Sequence, residues 1–285
     1  MAESLLYRVA EAGVKVDVNM LKAVFQALSN ARNPTLAIEK AEQLYNRYLK
    51  SGKVIATTSL INTFMDIYSK SRLSSSAETA EDILLNRMPV LKVIPDRVSY
   101  NTVISCWSRS RDASAFVRAE RIFAIAKSKG VSLDIISYSS LLTALTRHIT
   151  NKKKNSVDRA DLAKAAEIFQ TMLATGTKPD LQFWTIFIGI WAKCQLYEET
   201  QSFFENMISS GIEPNDVTYT TMLNMWGNSK HPSASEQIVL LFKRMKAAGK
   251  QLDTVGYTSL LSSLSRSREP VLTLCQPCVS AVLAL

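Results

Sequence analysis

Apolar residues along this chain fall at helical spacing, and the helical stretches themselves recur. Tyr100, Val103, Ile104 and Trp107 stand three and four residues apart, which gives one apolar face to a helix opening just after Asp96. The same face returns behind a short phrase, Asp-x-x-Ser/Thr-aromatic-x. It reads Asp96-Arg97-Val98-Ser99-Tyr100-Asn101, then Asp134-Ile135-Ile136-Ser137-Tyr138-Ser139. Looser copies are Asp180-Leu181-Gln182-Phe183-Trp184-Thr185, Asn215-Asp216-Val217-Thr218-Tyr219-Thr220 and Asp253-Thr254-Val255-Gly256-Tyr257-Thr258. Two weaker copies begin at Asp17 and Thr57. The starts at 17, 57, 96, 134, 180, 215 and 253 are therefore 40, 39, 38, 46, 35 and 38 residues apart. A beat in that range predicts stacked repeats rather than one globular core. Sustained alternation and Asn-Gly hairpin signals are missing, so the prediction is all-α.

Each repeat reads as two helices. The start residue is Asp, Asn or Thr, a side chain that caps exposed backbone N–H groups. Eleven residues later comes a large apolar residue: Leu28, Tyr68, Trp107, Leu145, Trp191, Trp226 and Leu264. The second helix carries Ala-Glu in four repeats (Ala41-Glu42, Ala80-Glu81, Ala119-Glu120, Ala166-Glu167). Its Tyr45, Phe123, Phe169, Phe204 or Phe242 precedes a glycine by seven residues, at Gly52, Gly130, Gly176, Gly211 and Gly249. Glycine suits a left-handed C-terminal cap, and Pro95, Pro179 and Pro214 then stop the helix before the next start. The aromatics and methionines at these positions read as core, because one hairpin cannot bury its apolar faces without a neighbour.

Composition narrows the partners. The chain has 285 residues, a net charge of +9 and a pI near 9.4. That balance favours an anionic partner, nucleic acid before an anionic membrane. No run of apolar residues is long enough to span a bilayer, so membrane insertion is not expected. The four cysteines are few and poorly spaced for a disulfide framework. Cys275-Gln276-Pro277-Cys278 has redox-motif spacing without the βαβ setting such a motif needs. His148 and His231 fall in different repeats. No metal-spaced cluster, Ser-His-Asp set or phosphate loop appears, so no enzyme, no cofactor and no metal is expected.

At this point the sequence resembles the pentatricopeptide-repeat family. The resemblance rests on Pro-Asp-x-x-Ser-Tyr-Asn-x-x-Ile, then Ala-Glu-x-Ile-Phe, then Met-x-x-x-Gly-x-x-Pro-Asp, repeated in that order over about residues 2–266. The Trp-x-x-Leu-Gly signature of tetratricopeptide repeats is not found. The resemblance implies a right-handed α-solenoid of stacked helical hairpins that binds single-stranded RNA, one base per repeat. It also implies a mitochondrial or plastid location and an effect on RNA processing, stability or translation.

The family's reading residues carry over one by one. The base is chosen by the residue five after a start together with the next start residue. The pairs are Asn62 with Asp96, Asn101 with Asp134, Ser139 with Asp180, Thr185 with Asn215, and Thr220 with Asp253; Thr258 lacks its downstream partner. The residue two after the start packs on the base: Val98, Ile136, Val217 and Val255, with Gln182 departing from the aliphatic preference. An Asn amide offers a donor and an acceptor to uracil, while a short Ser or Thr leaves room for a purine. The family's usage then gives 5′-UUGAG-3′ for repeats 2 to 6. Lys22 with Thr57 fits no familiar combination and leaves repeat 1 unassigned. A second ladder stands thirteen residues after the starts, where Lys70, Arg109, Arg147, Lys193 and Arg266 are basic and Asn30 and Asn228 are not. The family uses a Lys there for RNA phosphate, and a cation near a helix C-terminus is also favourable by itself.

The predicted layout is a second helix of a cut repeat (1–16), repeat 1 (17–56), repeat 2 (57–95), repeat 3 (96–133), repeat 4 (134–179), repeat 5 (180–214), repeat 6 (215–252), a first helix (253–268) and a non-repeat tail (269–285). Repeat 4 is stretched by an insertion carrying Lys152-Lys153-Lys154, read as a solvated loop. Both ends read as cut, as in an incomplete gene model: Ala2-Glu3 to Gly13 has the spacing of a second helix, and Glu269-Pro270 replaces the expected one. Nuclease, deaminase-like and MutS-related domains found appended in this family are not expected among these residues. The alternatives are a scaffold binding proteins on its concave face, and the recognition part of a larger RNA-processing enzyme.

Overall fold

The computed structural model describes residues 11–71, 73, 75–152, 159–229, 231–250 and 257–258. Among these every regular element is a helix. Repeat 1 holds α1 (Val18–Ser29) and α2 (Pro34–Leu44); repeat 2 holds α3 (Thr58–Ser71) and α4 (Ser76–Asp82). Repeat 3 holds α5 (Arg97–Arg109) and α6 (Ala115–Ser128), and repeat 4 supplies α7 (Ile135–Asn151) and α8 (Arg159–Ala174). Repeat 5 holds α9 (Leu181–Lys193) and α10 (Tyr197–Ser209), and repeat 6 holds α11 (Asp216–Gly227) and α12 (Ala234–Ala247). The chain forms two compact parts that divide between residues 156 and 157, so α7 belongs to the N-terminal part and α8 to the C-terminal part. The expected helices of 1–10, 251–256 and the tail lie outside the described residues.

The start residues do what their chemistry predicts. Asp17, Asp96, Asp134, Asp180 and Asn215 each take an extended backbone and accept the N–H three residues on, at 2.7 to 3.2 Å. Each thereby satisfies one donor that a helix start leaves open. At the other end of the hairpin Gly130, with φ 71°, turns the chain out of α6, and the Val131 N–H closes on the Ala126 carbonyl at 3.0 Å. Lys92 takes the same place after α4 with φ 57°, a conformation that costs a residue with a Cβ roughly 1–2 kcal/mol.

The second helices of repeats 1 and 2 differ from the others. Tyr45–Lys50 and Ile83–Arg87 continue α2 and α4 as π-helix, and Met88–Val90 adds a further α turn. Leu84, which stands where repeat 3 has Phe123, is eight residues from Lys92, whereas Phe123 is seven from Gly130. The wider π turn absorbs that extra residue.

Within each part, first helices stack on first helices: α1 on α3, α3 on α5, α5 on α7, and α9 on α11. Close approach of the second helix is set by Ala41, Ala80 and Ala119, all fully buried. Aromatic pairs join successive repeats. Phe123 of α6 meets Tyr138 of α7 edge-on at 5.2 Å, and Phe204 of α10 meets Tyr219 of α11 at 5.7 Å. The Ala-Glu carboxylates add polar bonds along the same seam. Glu81, 5 % exposed, accepts from Trp107 Nε1 at 2.8 Å and from Arg118 Nη1 at 3.2 Å. Glu42 accepts from the Tyr68 hydroxyl and from Arg87 at 2.9 Å. Burial, with that bond to Glu42, pushes the Tyr68 hydroxyl far above its ordinary pKa, so it stays a donor. In the C-terminal part Gln201 takes this role, accepting from Trp226 Nε1 at 3.4 Å.

Two stability outcomes follow. Glu81→Ala strands the Trp107 N–H and the Arg118 charge, and urea unfolding is expected to show a loss of about 2–4 kcal/mol, with Glu81→Gln losing less because it keeps an acceptor. An unfolding curve unmoved by Glu81→Ala would contradict this seam. Lys92→Gly is expected to stabilise by about 1 kcal/mol, whereas Gly130→Ala destabilises by a similar amount although nothing stands within 4 Å of the new Cβ; opposite signs in the same titration are the check.

Candidate nucleic-acid interface

The residues expected from the sequence to read bases are brought together at helix starts. Asp96 caps α5: its Oδ1 accepts the Ser99 N–H at 2.9 Å, while Ser99 Oγ accepts the Asp96 N–H at 3.2 Å. Asn62 sits in the first turn and a half of α3, which stacks on α5. Its Nδ2 donates to Asp96 Oδ1 at 3.0 Å, and its Oδ1 accepts from Ser99 Oγ at 2.7 Å. One repeat later the arrangement is repeated. Asn101 Nδ2 donates to Asp134 Oδ1 at 2.9 Å, and the Ser137 hydroxyl donates to Asn101 Oδ1. Two of the pairs named from the sequence are thus in direct contact.

The C-terminal part uses a hydroxyl relay instead. Thr185 and Thr218 hydroxyls are 2.9 Å apart, and Thr218 Oγ1 donates to Asn215 Oδ1 at 2.8 Å. Thr185 and Asn215 are therefore joined through Thr218. Ser139 lies in the N-terminal part, buried, with its hydroxyl unpartnered among the described residues. Asp180 lies in the C-terminal part, exposed, and caps α9. Thr220 is half-buried on α11, and Thr258 is helical and exposed. Asp253 and Val255 lie outside the described residues.

Beside these pairs stand apolar side chains that the core does not cover. Val98 is 53 %, Ile136 58 % and Val217 59 % exposed, all two residues after a start. Gln182 at the same register is exposed too. A β-branched apolar residue is thus left in water at one position of repeats 3, 4 and 6. The Asp96 carboxyl is held below its ordinary pKa: desolvation works against the charge, and the bonds from the Ser99 N–H, the Asn62 amide and the Ser99 hydroxyl outweigh it. Its folded-state pKa is depressed, so the charge and the stability it gives persist at neutral pH and are lost only as pH falls through the acid range. Asp134 has an added cation, with Arg97 Nε 3.4 Å from its Oδ2.

The basic ladder lies at the other end of the first helices, and its contacts are structural as well as positional. Lys70 pairs with Asp66 at 2.7 Å and reaches Asn30 Oδ1 at 3.3 Å. Arg109 Nη1 donates to the Ser69 carbonyl at 3.0 Å, and Arg147 Nη1 to the Arg109 carbonyl at 2.7 Å. Each arginine fills an acceptor left open at the end of the preceding first helix and keeps further N–H groups on its guanidinium. Burial lowers the pKa of Lys193 at the same register in α9. Arg266 lies outside the described residues. A cavity of about 730 Å³ beside the ladder is bordered by Arg109, Arg111 and Arg147. Its wall includes Cys106, whose thiol burial pushes up to about 12, so it stays protonated.

Chemistry elsewhere is sparse. His148 packs on the Phe116 ring at 5.7 Å, and His231 Nδ1 bonds Ser233 Oγ at 2.7 Å. Among the described residues no three His, Cys, Asp or Glu side chains gather as a metal site, and no helix is long and apolar enough to cross a membrane. Lys152 ends α7 as its cap; Lys153, Lys154, Cys275 and Cys278 lie outside the described residues. Sequence reading passed over Ser99, Ser137 and Thr218 as helix-start residues. The signal was present in the repeated phrase, where a hydroxyl recurs three residues after the start, but its link to the preceding repeat needs the stacked geometry.

Comparison with known proteins bears on the fold. Residues 179–228 match the PPR repeat family. None of the curated proteins matches the chain in sequence. Among solved structures, the pentatricopeptide repeat protein PPR10 in complex with an 18-nt psaJ RNA element superposes with a TM-score of 0.68 at 21 % identity, over 99 % of this chain and 36 % of PPR10. This chain thus spans little more than a third of that protein's length. The PPR domain of Arabidopsis thaliana protein-only RNase P 1, in complex with tRNA, gives a TM-score of 0.59 at 12 % identity, over 73 % of this chain and 98 % of that domain. Nuclear proteinaceous RNase P 2 from A. thaliana gives 0.58 at 14 % identity, over 73 % of this chain and 42 % of that protein. The likenesses fix the fold as that of the helical-repeat solenoids, and residues 179–228 match the PPR repeat family.

Proposed function

We propose that the chain binds single-stranded RNA in a sequence-dependent way, one base per repeat, on an organellar transcript whose processing, stability or translation it affects. The observation that carries this reading is the repeated contact of Asn62 with Asp96 and of Asn101 with Asp134, beside exposed Val98 and Ile136. Such a unit offers a donor, an anionic acceptor and an apolar ledge within reach of one base. Uracil and guanine present a carbonyl next to a ring N–H, which complements a donor beside a carboxylate. Cytosine and adenine present the reverse order. An Asn at the first position favours the smaller uracil, and a Ser or Thr there leaves room for guanine. Asn215 replaces the carboxylate with an amide in one pair, which suits adenine. The proposed core is 5′-UUGAG-3′, read by repeats 2 to 6, with repeats 2 and 3 taking the two uracils. The whole protein's effect on its transcript rests on the same proposal.

Fluorescence anisotropy on single-stranded RNAs tests this. UUGAG-containing RNA is expected to bind at least 10-fold more tightly than a scrambled sequence; equal affinity for both sinks the base assignment and favours a protein-binding scaffold. Asn101→Thr is expected to move the second position from uracil toward guanine, so that UGGAG overtakes UUGAG.

The ladder is tested by salt. If Arg109 and Lys70 touch phosphates, Arg109→Gln and Lys70→Gln each lower the slope of log K against log salt by about 0.7 and weaken all sequences alike. Loss of about 1 kcal/mol of stability from Arg109→Gln with an unchanged slope would leave the arginine a helix cap alone.

A further inference from the structure

We propose that Ser99 and Ser137 are positioning residues that lock the amides of Asn62 and Asn101 and thereby set the choice of uracil over cytosine. This inference rests on the RNA-reading function proposed above and adds a third residue to each reading pair.

The argument is one of proton accounting. An ionised carboxylate only accepts, so the Asn62 amide must turn its NH₂ toward Asp96, at 3.0 Å. Ser99 has one hydroxyl proton. Its oxygen already accepts the Asp96 N–H at 3.2 Å, and the nearest acceptor for its proton is Asn62 Oδ1 at 2.7 Å, with Asp96 Oδ1 at 3.0 Å. The amide is therefore held at both ends: nitrogen by the carboxylate, oxygen by the hydroxyl. Asn101 is held in the same way by Asp134 and Ser137. Both serines are fully buried, so their hydroxyls have no water to turn to.

A locked amide presents a fixed donor. One N–H of Nδ2 goes to the carboxylate and one is left over. Facing a base, that N–H suits the uracil O4 carbonyl and opposes the cytosine N4 amino group, itself a donor. Without the hydroxyl only the nitrogen end is held. The amide then swings about the Nδ2 to carboxylate bond and can offer its oxygen to cytosine instead. The remaining repeats are consistent with this division of labour. Where the preceding reading residue is Ser139, which has no amide to orient, the corresponding position is Phe183, without a hydroxyl. Where it is Thr185, the position is Thr218 and the two hydroxyls are in contact at 2.9 Å.

A purely local role makes a different prediction. The serines also complete capping boxes on α5 and α7, so their loss costs helix stability whether or not they orient the amides. Stability loss weakens binding of every RNA equally and leaves the uracil-to-cytosine ratio alone.

The test uses the full chain, with binding of UUGAG, CUGAG and UCGAG RNAs measured for wild type, Ser99→Ala, Ser99→Thr and Ser137→Ala. Wild type is expected to prefer UUGAG to CUGAG by about 10-fold. Ser99→Ala is expected to cut that ratio about 5-fold, the worth of roughly one hydrogen bond, while leaving the UUGAG to UCGAG ratio intact. Ser137→Ala is expected to do the reverse, and Ser99→Thr to restore the wild-type ratio. Unchanged ratios in both alanine variants, with affinity lowered for all three RNAs, overturn the positioning role while the base-reading function stands. A wild type that binds the three RNAs equally overturns the base reading itself and the positioning role with it. The two serines act at different repeats, so a variant that fails to fold leaves the other to decide.

Discussion

One oxygen atom, Asp96 Oδ1, joins the three levels of this structure. It accepts the Ser99 N–H and so starts α5; it accepts the Asn62 amide and so ties α5 to α3; and it is the anionic acceptor of the proposed base-reading pair. Asp134 Oδ1 does the same for α7 and α5. The economy has a physical cause. A helix start has free N–H groups and a positive dipole end, so an anion is favoured there regardless of function. Stacking then brings the preceding first helix alongside, and its side chain five after the start lands on the same anion. At Asp96 and Asp134 the residue that caps a helix is thus also the partner of the preceding repeat's Asn. The same coupling constrains it, because a carboxylate traded for another group changes the helix start and the base edge together.

The stack itself is held elsewhere, which leaves the reading face open to change. Its buried seam is apolar and aromatic, with Phe64 against Tyr45 and Phe25, Tyr138 against Phe123 and Tyr219 against Phe204. Polar bonds from Glu42 and Glu81 to the next repeat's Tyr68 and Trp107 run along that seam rather than through the reading face. Burying a carboxylate is unfavourable unless it is paired, and each of these is paired twice, with an aromatic donor and an arginine. Such bonds penalise any register in which the aromatic does not meet the carboxylate. They therefore fix how one hairpin sits on the next more sharply than apolar contact does.

Much of this was legible in the chain. Start residues, glycine stops and the two-helix beat each have a local physical cause, and the described helices lie where those signals put them. The reading pairs were legible only by resemblance, since residues 34 apart in sequence, such as Asn62 and Asp96, have no local reason to meet. The π segment after α4 was not legible, because one extra residue between Leu84 and Lys92 fits a longer loop as well as a widened turn, and the one after α2 has no extra residue to signal it. Lys92 in a left-handed conformation was hidden for a similar reason: the glycine rule names the usual occupant, and stacking overrode it. The Ala-Glu pattern was visible while its purpose was not. A glutamate on an amphipathic helix ordinarily faces water, and only the neighbouring repeat shows that Glu81 is buried under Trp107.

The starts Asp96 and Asp134 and the start Asn215 meet the preceding helix with different chemistry, and the difference lies in who supplies the protons. In repeats 3 and 4 the start residue is a carboxylate, which has none, so the preceding Asn must donate and a serine must fill its carbonyl. In repeat 6 the start residue Asn215 accepts on Oδ1 from the Thr218 N–H and hydroxyl, which turns its Nδ2 away from the helix start. Its amide then presents a donor where Asp96 and Asp134 present an acceptor. That reversal keeps the extended backbone of the start and its bond to the N–H three residues on, while the reciprocal capping-box bond made at Asp96 is not repeated at Asn215. An Asp-to-Asn difference at a repeat start thus inverts the hydrogen-bonding sense of that start and leaves the helix that carries it in place.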